Sequence, residues 1–369
     1  MIQDVYIIGA TGKVGRELVR QIFEKGDTDP NIHANPTRVV GLASSTHTLY
    51  SPQGISQGQA YAFTNRSYGS AQRYYHPDEH LERARSGLRG EESTLVFIDA
   101  TALGEPMIQF HLRVIEETPH GIVTANKNPV ALSDYDTFQR LTQDSRRYGY
   151  RCSVMAGAEA VTFVRDGRDL NDPLYVVEGC FSGTNGYITS GLEDDGRTLS
   201  SVVKEAYDKG YTEPHPRDDL NGLDVARKLV VIARSAGLPV ALKDVVVTPL
   251  IPEEYLLEDD VGRFLGNLAK LDEGFRERMV NARSNGSVLR YVTRIDARSE
   301  NPILEVSLQE VPRDSPLGGL EGAMNKIVLT TEAYPKGYVV EAPGAGLEVT
   351  ALNIRRDLLD LLPERRNEI

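Results

Sequence analysis

A group of three carboxylates and one lysine stands between positions 213 and 228. Glu213 and Asp219 precede a predicted helix over residues 223–236, and Asp224 and Lys228 lie on that helix four residues apart. This spacing places Asp224 and Lys228 on one helix face, where an exposed ion pair adds only about 0.2–0.5 kcal/mol. The acids could also serve the N-terminus of the helix, which favours negative charge. The plain interpretation is a surface salt bridge.

The residues after Lys228 favour a chemical role instead. Lys228 is followed by the run from Leu229 to Ala233, which is apolar throughout and indicates a buried helix. A lysine amine on such a helix needs a polar partner. Lys228 is therefore either a salt-bridge lysine or a general acid, and the sequence leaves both open.

The segment Gly9–Gly15, here called the glycine loop, follows a short β-branched run and opens a helical pattern over residues 13–24. Glycines at this place let the backbone approach a pyrophosphate, and free N–H groups at a helix start face its charge. The spacing is G-x-x-G-x-x-G, a variant of the usual dinucleotide motif. The loop predicts nucleotide binding, with a purely structural turn as the alternative.

The residues at the end of the second strand indicate whether NAD or NADP is preferred. An acid there would bind the ribose hydroxyls of NAD, but residues 43–46 read Ala-Ser-Ser-Thr. Hydroxyl groups with Arg38 or Lys13 nearby would accept a 2′-phosphate. The sequence therefore favours NADP, with NAD possible.

A further cation, Lys127, follows a predicted strand over residues 121–124, at the edge where an open parallel sheet binds ligands. It predicts a role beside substrate and cofactor, and a solvated loop lysine is the alternative. His76 and His80 form the one H-x-x-x-H pair, in a polar segment, and we assign no metal to them. Serine-hydrolase elbows and P-loop lysine motifs do not occur in the sequence.

Composition narrows the class of protein. The chain has 369 residues, a net charge of −12 and two cysteines, Cys152 and Cys180. The negative charge disfavours nucleic acid and anionic membranes, and two cysteines do not make a disulfide framework. Without a membrane-length apolar run or a leader-like start, we expect a protein in the reducing cytoplasm.

The elements around these residues predict two domains. Strands over 5–8, 38–43, 95–99 and 121–124 alternate with helices, which is typical of a doubly wound parallel sheet of the Rossmann type. Between them, residues 44–92 read as a long surface excursion ending in a helix over 78–89, with a locally packed aromatic patch at 74–77. We assign residues 1–150 to a dinucleotide-binding domain.

After Tyr150 the pattern changes. Strands over 175–181, 288–296 and 303–311 alternate with period two, and helices over 199–209 and 223–236 lie among them. This predicts an α+β substrate-binding and dimerisation domain over residues 151–335. Residues 336–369, with a helix over 349–362, would complete the first domain.

Taken together, these motifs resemble homoserine dehydrogenase along nearly the whole chain. The matching stretches are the glycine loop, Asp-Ala-Thr-Ala at 99–102, Thr-Ala-Asn-Lys at 124–127, Phe-Ser-Gly-Thr at 181–184, Tyr-Thr-Glu-Pro at 211–214, Leu-Asp-Val-Ala-Arg-Lys at 223–228 and Pro-Gly-Ala-Gly at 343–346. The resemblance is to the short form without an ACT or aspartokinase domain.

The resemblance implies NAD(P)-dependent interconversion of L-aspartate 4-semialdehyde and L-homoserine, on the route to threonine, methionine and isoleucine. Lys228 would protonate the carbonyl oxygen, and Lys127 would assist. The residues that would hold the substrate are Glu213, Asp219, Asp224, Gly183 and Thr184. The residues that would lie along the cofactor are Gly9, Thr11, Gly12, Lys13, Val14, Thr101, Lys127, Gly210 and Gly346.

One family feature departs from its usual form. The family binds a monovalent cation near the segment that here contains Met155 and Gly157, but Cys152 stands where a glutamate is expected. A cation near Met155 and Gly157 is therefore possible but unassigned. Two other functions stay open: reduction of another small amino-acid aldehyde, and a non-catalytic dinucleotide-binding regulator.

Overall fold

The computed structural model describes residues 2–33, 35–87, 93–194 and 196–361. These residues form two compact units. The first contains the chain up to Gly157 together with the segment from Gly346 onward, and the second contains Ala158–Ala345. The sequence placed the boundaries after residues 150 and 335, so the observed divisions lie seven and ten residues later. The roles of the two units stay a proposal.

The first unit contains a seven-stranded sheet in the order β4-β3-β2-β1-β5-β6-β7. Five of its strands are parallel, and β3 and β4 extend the edge beyond β2 as antiparallel strands. The strands are β1 (Ile2–Ile8), β2 (Thr37–Ala43), β3 (His47–Tyr50), β4 (Gln72–Arg73), β5 (Ser93–Asp99), β6 (Gly121–Thr124) and β7 (Tyr148–Gly149). The helices between them are α1 (Lys13–Glu24), α2 (Gln57–Thr64), α3 (Asp78–Gly87), α4 (Glu105–Glu117), α5 (Asn128–Leu132) and α6 (Tyr135–Thr142).

Strand β1 shows why helices cover both faces of this sheet. Its side chains alternate between the faces, and both sets are buried. Val5 and Ile7 belong to a core cluster with Leu18 of α1. On the other face the Tyr6 ring contacts Phe97 of β5, 5.4 Å between ring centroids. The doubly wound α/β class predicted from the sequence is confirmed.

The segment from Ser44 was predicted as a surface excursion, and this was wrong for its first half. Strand β3 pairs with β2, β4 pairs with β3, and α2 begins at a Ser56 capping box. Strand β3 forms a hairpin with β2 across residues 44–46, so its polar composition hid it although its partner is near in the sequence, whereas β4 pairs with β3 only after α2 intervenes. The prediction that the aromatic patch packs locally holds for Tyr74, which donates to the Ser44 carbonyl at 2.6 Å, but not for Tyr75, which is 87% exposed. Helix α3 starts at Asp78 as predicted, and the last two predicted residues lie outside the described residues.

The second unit contains a six-stranded sheet in the order β13-β12-β8-β10-β11-β9, in which only β9 and β11 pair in parallel. Its strands are β8 (Leu174–Cys180), β9 (Val245–Val247), β10 (Ser287–Asp296), β11 (Ile303–Pro312), β12 (Met324–Thr331) and β13 (Tyr338–Pro343). Its helices are α7 (Ala160–Asp169), α8 (Gly183–Gly191), α9 (Leu199–Asp208), α10 (Arg217–Leu220), α11 (Leu223–Ser235), α12 (Glu253–Leu256), α13 (Val261–Asn267) and α14 (Asp272–Ser284). No helix in the described ranges is long and apolar enough to cross a membrane.

The chain returns to the first unit as helix α15 (Leu347–Asp360). The helix starts two residues earlier than predicted because Gly346, with φ of +147°, ends the preceding turn and its carbonyl accepts from Thr350 N–H. Ile354 packs into the same core as β1 and α1. The buried Arg151 guanidinium donates to Asp357 at 2.6 Å and also to Asp360. This ion pair fixes α15 to the chain that follows β7.

We expect Asp357→Ala to lower the free energy of unfolding by about 3 kcal/mol, because it removes the buried carboxylate opposite Arg151. The measurement is urea denaturation followed by circular dichroism. Asp136→Ala is the control, since that carboxylate is 82% exposed and lies 3.8 Å from Arg140. Equal losses in the two variants would contradict a stabilising role for the buried pair.

Candidate active site

In the first unit, the glycine loop connects β1 to α1 with almost no spare space. Gly9 has φ of +88°, and a side chain at Gly15 would lie 2.3 Å from the Gly9 carbonyl oxygen. Gly12 caps α1 without a side-chain hydrogen bond, and the first turn of α1 carries no acid. The helix start therefore presents uncapped N–H groups, which is the arrangement that binds a pyrophosphate.

The other predicted residues of the glycine loop lie around this helix start. Thr11 and Val14 are partly exposed, and Lys13 is exposed at the first residue of α1. Arg16, one turn further, donates to the Thr11 carbonyl at 3.0 Å. Positive side chains therefore surround the site where phosphate oxygens would lie.

Arg38, which the sequence offered as a partner for a 2′-phosphate, does not fit that role. Its guanidinium donates to both carboxylate oxygens of Asp4, at 2.7 and 2.9 Å. Arg38 is also the second residue of β2, at the amino end of the strand and about 16 Å from the carboxyl end. The expectation for Arg38 was wrong because a strand position also decides at which edge of the sheet a residue lies.

A buried polar network joins the ends of β5 and β6. Asn126 donates through Nδ2 to Asp99 at 3.0 Å and to the Leu103 carbonyl at 2.7 Å. Asp99 also accepts from the Thr101 backbone N–H at 2.9 Å. These bonds fix the turn that contains Thr101 and the chain just before Lys127, which is the partly buried N-cap residue of α5.

Asp99 and Asn126 are positioning residues to which the sequence analysis assigned no role. Burial by itself would raise the pKa of Asp99, but its hydrogen bonds with His111 and Thr101 lower the pKa overall. His111 Nε2 lies 3.3 Å from Asp99, and its Nδ1 lies 2.8 Å from the Tyr148 hydroxyl. An acid at the end of a buried strand, followed by Thr, was the signal that could have revealed this network.

In the second unit, Lys228 lies on α11, and the run from Leu229 to Ala233 behind it is fully buried. The Lys228 ammonium donates to the Phe181 carbonyl at 2.7 Å and pairs with Asp224 at 3.0 Å. Only 14% of the Lys228 side chain is exposed. The predicted ion pair between Lys228 and Asp224 is present, but the amine lies at the end of β8 and is mostly shielded from solvent, unlike that of an exposed surface pair.

Glycine 222 determines where α11 begins. Its φ is +76°, and a side chain there would lie 2.2 Å from the Tyr291 hydroxyl. That hydroxyl donates to the Thr248 carbonyl at 2.9 Å. The left-handed backbone at Gly222 thus allows α11 to begin beside the sheet. Asp224 and Lys228 follow in the first two turns of the helix.

Asp219 lies in α10, next to the start of α8. It accepts from the Glu213 backbone N–H at 2.8 Å, and the Thr184 hydroxyl lies 2.9 Å away. Asn185 donates to the Asp219 carbonyl at 3.1 Å. A side chain at Gly183 would lie 2.9 Å from the Ala323 carbonyl oxygen, so glycine is needed for this close packing.

The electrostatics of Asp219 differ from those of an ordinary surface acid. Burial, with smaller contributions from the charges of Glu213 and Asp224, raises the pKa of Asp219 to about 6. The bonds from the Glu213 N–H and Thr184 partly oppose the shift. Three carboxylates with Lys228 can bind an ammonium group and protonate an adjacent oxygen.

The remaining predicted residues have structural explanations of their own. Gly210 has φ of +70° just after α9, and a side chain there would meet open space. Met155, Ala156 and Gly157 all have positive φ, and the Ala156 carbonyl accepts from Asn353 at 2.9 Å. Within the described ranges, no group of three or more His, Cys, Asp or Glu side chains is arranged to bind a metal.

Comparison with known proteins agrees with this geometry. The homoserine dehydrogenase family model matches residues 164–359, more than half of the chain. Homoserine dehydrogenase of Schizosaccharomyces pombe is 31% identical, over 98% of this chain and 96% of its own length. The chain belongs to the homoserine dehydrogenase family.

Other members of the family are longer proteins. A chloroplastic bifunctional aspartokinase/homoserine dehydrogenase of Zea mays is 33% identical over 97% of this chain. The chain spans 38% of the length of that relative, about two fifths.

Solved structures support the fold. A protein of unknown function from Candida auris has a TM-score of 0.86 and 28% identity, with 98% of each chain covered. A hyperthermophilic archaeal homoserine dehydrogenase in complex with NADPH has a TM-score of 0.73 and 20% identity, over 98% of this chain and 99% of that one. The Rossmann-type architecture predicted from the sequence is shared with these proteins.

Gly15→Ala should destabilise the first unit by roughly 2 kcal/mol, because the new methyl group would overlap the Gly9 carbonyl. Gly58→Ala, in α2 with open space around it, is the control and should be neutral or stabilising. Thermal unfolding of both variants is the measurement. A Gly15→Ala protein as stable as wild type would show that the loop has space to spare.

We expect Asp219→Asn to stabilise the free protein by about 1–2 kcal/mol near pH 7.5. The raised pKa means that ionised Asp219 opposes folding above about pH 6, while the protonated form below about pH 4 does not. The hydrogen bonds survive, because Asn can accept from Glu213 N–H and donate to Thr184, whose own proton goes to the Tyr211 carbonyl at 2.7 Å.

The readout for Asp219→Asn is the melting temperature relative to wild type across pH, with the exposed Asp218→Asn as the control. The difference should be positive near pH 7.5 and shrink toward pH 4. A difference independent of pH would contradict the raised pKa of Asp219.

Proposed function

We propose that this chain is a homoserine dehydrogenase that interconverts L-aspartate 4-semialdehyde and L-homoserine, with NADPH as the main cofactor and NADH as a possible one. The observation that supports this most directly is the Lys228 ammonium bound between the Phe181 carbonyl and Asp224. It lies inside the segment that the homoserine dehydrogenase family model matches.

Lys228 is placed to act as the general acid. An ammonium group has three N–H donors, and two are used by Phe181 and Asp224. The third donor can protonate the carbonyl oxygen of the aldehyde, and in the reverse direction the amine takes that proton back. General acid catalysis of this kind contributes about 10²–10⁴-fold.

The neighbouring acids would bind the amino-acid part of the substrate. Glu213 is exposed, and Asp219 is ionised above about pH 6, so both offer charge to an ammonium group. Asp224 would orient Lys228 and accept from the substrate hydroxyl. Gly183 and Thr184 would line the same pocket, where Thr184 positions Asp219.

The residues of the first unit fit a dinucleotide. Bound NADPH would supply the hydride. The uncapped N–H groups at the start of α1, with Gly9, Gly12 and Lys13, would hold its pyrophosphate. Thr101, Lys127 and Gly346 would lie along the rest of the cofactor, as would Gly210 of the second unit, and Lys127 would also assist the reaction. The NADPH complex of the archaeal homoserine dehydrogenase supports this choice of nucleotide.

Three finer points are proposals as well. We propose a homodimer built on the six-stranded sheet and a cytoplasmic location, which suits two buried free cysteines. The monovalent cation near Met155 and Gly157 stays a prediction, and we route no step through it. Sedimentation of the purified protein tests the dimer, and turnover with and without sodium or potassium tests the cation.

The main test measures absorbance at the nicotinamide band after the protein is mixed with L-homoserine and either NADP⁺ or NAD⁺. Wild type should turn over, and Lys228→Ala should lose at least about 100-fold in kcat while it still binds NADPH. Lys204→Ala, an exposed lysine paired with Asp208 four residues later, is the matched control and should keep full activity.

Two results would overturn parts of this proposal. Wild-type turnover by Lys228→Ala would remove Lys228 as the acid. A folded protein that binds NADPH but does not turn over homoserine would indicate another small amino-acid aldehyde as the substrate. If a panel of such aldehydes also gives no turnover, the result would indicate a non-catalytic regulator.

A further inference from the structure

Arginine 73 is a cation that neither the sequence analysis nor the proposed mechanism uses. It is the last residue of β4 and is exposed. Its guanidinium has no hydrogen-bond or ion-pair partner among the described residues, unlike that of Arg38. We propose that Arg73 binds the 2′-phosphate of NADPH and thereby selects NADPH over NADH. This inference rests on the proposed nucleotide-dependent function.

The sheet extension brings Arg73 to the carboxyl end of β2. Strand β3 runs antiparallel to β2, with Ala43 opposite Thr48, and β4 runs antiparallel to β3, with His47 opposite Arg73. Two reversals return the chain to the edge where β2 ends. Arg73 therefore lies at the sheet edge at which dinucleotides bind.

Two hydrogen bonds of the next residue bring Arg73 close to the turn after β2. Tyr74 donates through its backbone N–H to the Thr46 carbonyl at 3.2 Å and through its hydroxyl to the Ser44 carbonyl at 2.6 Å. The chain at Arg73 thus runs directly beside residues 44–46. An extended arginine side chain can reach across that turn.

The turn itself suits a phosphate. Ser45 and Thr46 are exposed and carry hydroxyl groups, and no acid stands where one would bind an unmodified ribose. Ser44 is different, because its hydroxyl oxygen accepts from the Thr46 and His47 N–H groups and shapes the turn. The Thr46 hydroxyl already pairs with His47 Nδ1 at 2.9 Å, so the exposed Ser45 hydroxyl is the one that would join the guanidinium as a donor to a phosphate dianion.

The other exposed cations at this edge cannot select between the two nucleotides. Lys13, which the sequence also offered as a partner for the 2′-phosphate, lies with Arg16 at the start of α1, beside the proposed site for the pyrophosphate. Both nucleotides contain the pyrophosphate, so Lys13 and Arg16 would strengthen both. Arg73 instead lies beside the end of β2, where the ribose 2′ position differs between NADPH and NADH.

The test measures binding by titration calorimetry, without turnover. Arg73→Gln should weaken the affinity for NADPH about 10- to 100-fold, as expected for loss of one charged hydrogen-bonded contact. It should change the affinity for NADH by less than about twofold. The same variant should bind adenosine 2′,5′-bisphosphate more weakly, as it does NADPH, and should bind AMP with unchanged affinity. Arg73→Lys should retain part of the preference, and Ser45→Asp should weaken NADPH and strengthen NADH.

Arg146→Gln is the matched control. Arg146 is 75% exposed and precedes β7, at the opposite edge of the same sheet, so its loss removes one charge far from the site. It should leave both nucleotides unchanged. An equal effect of Arg73→Gln and Arg146→Gln would overturn the proposal in favour of a general charge effect.

The remaining outcomes separate this inference from the proposed function. If Arg73→Gln weakens NADPH and NADH equally, or neither of them, Arg73 does not select the nucleotide, while homoserine turnover by wild type leaves the function intact. If wild type binds neither nucleotide, the proposed function fails and this inference fails with it.

Discussion

The contact between the Lys228 ammonium and the Phe181 carbonyl determines much of the second unit. Phe181 directly follows β8, which lies between β10 and β12 in the sheet, and Lys228 lies on α11. An ammonium group on a buried helix must have polar partners, and a strand that ends just there leaves its last carbonyl without a ladder partner. The helix and the strand end therefore satisfy each other, and the remaining N–H donor is the one we propose for proton transfer.

The acids around Lys228 show a conflict between stability and function. Burial raises the pKa of Asp219, and Glu213 and Asp224 lie close enough for their charges to raise it further. A protein selected only for stability would separate such carboxylates or replace one by an amide. Lys228 already pairs with Asp224, and under the proposed function the ammonium group of an amino-acid substrate would supply the further positive charge.

The sequence predicted this cluster better than it predicted the edge of the parallel sheet that we propose binds the nucleotide. Helical spacing and the apolar run after Lys228 are local signals, and burial of Leu229–Ala233 confirmed them. Strand β3 was missed because its composition is polar, although it forms a hairpin with β2, and β4 was missed because it pairs with β3 across the intervening α2. Arg38 was misplaced because its ion pair with Asp4 joins the neighbouring strands β1 and β2. The Asp99–Asn126 bond likewise joins residues that are separated by a helix. Local sequence patterns thus predicted most helices and strands and the group of acids around Lys228. Contacts between residues far apart in the sequence became visible only in the structure.

Under the proposed function, protons and the ammonium group of the substrate compete for the Asp219 carboxylate. The Thr184 hydroxyl has one proton and two acceptors nearby, the Tyr211 carbonyl and Asp219. When Asp219 is protonated it can donate to Thr184, and when it is ionised it attracts an ammonium group instead. Because the pKa of Asp219 is raised to about 6, the carboxylate is ionised near neutral pH at a cost to the fold. A bound ammonium group would offset that cost, so substrate binding should release protons below neutral pH and stabilise the folded chain at the same time.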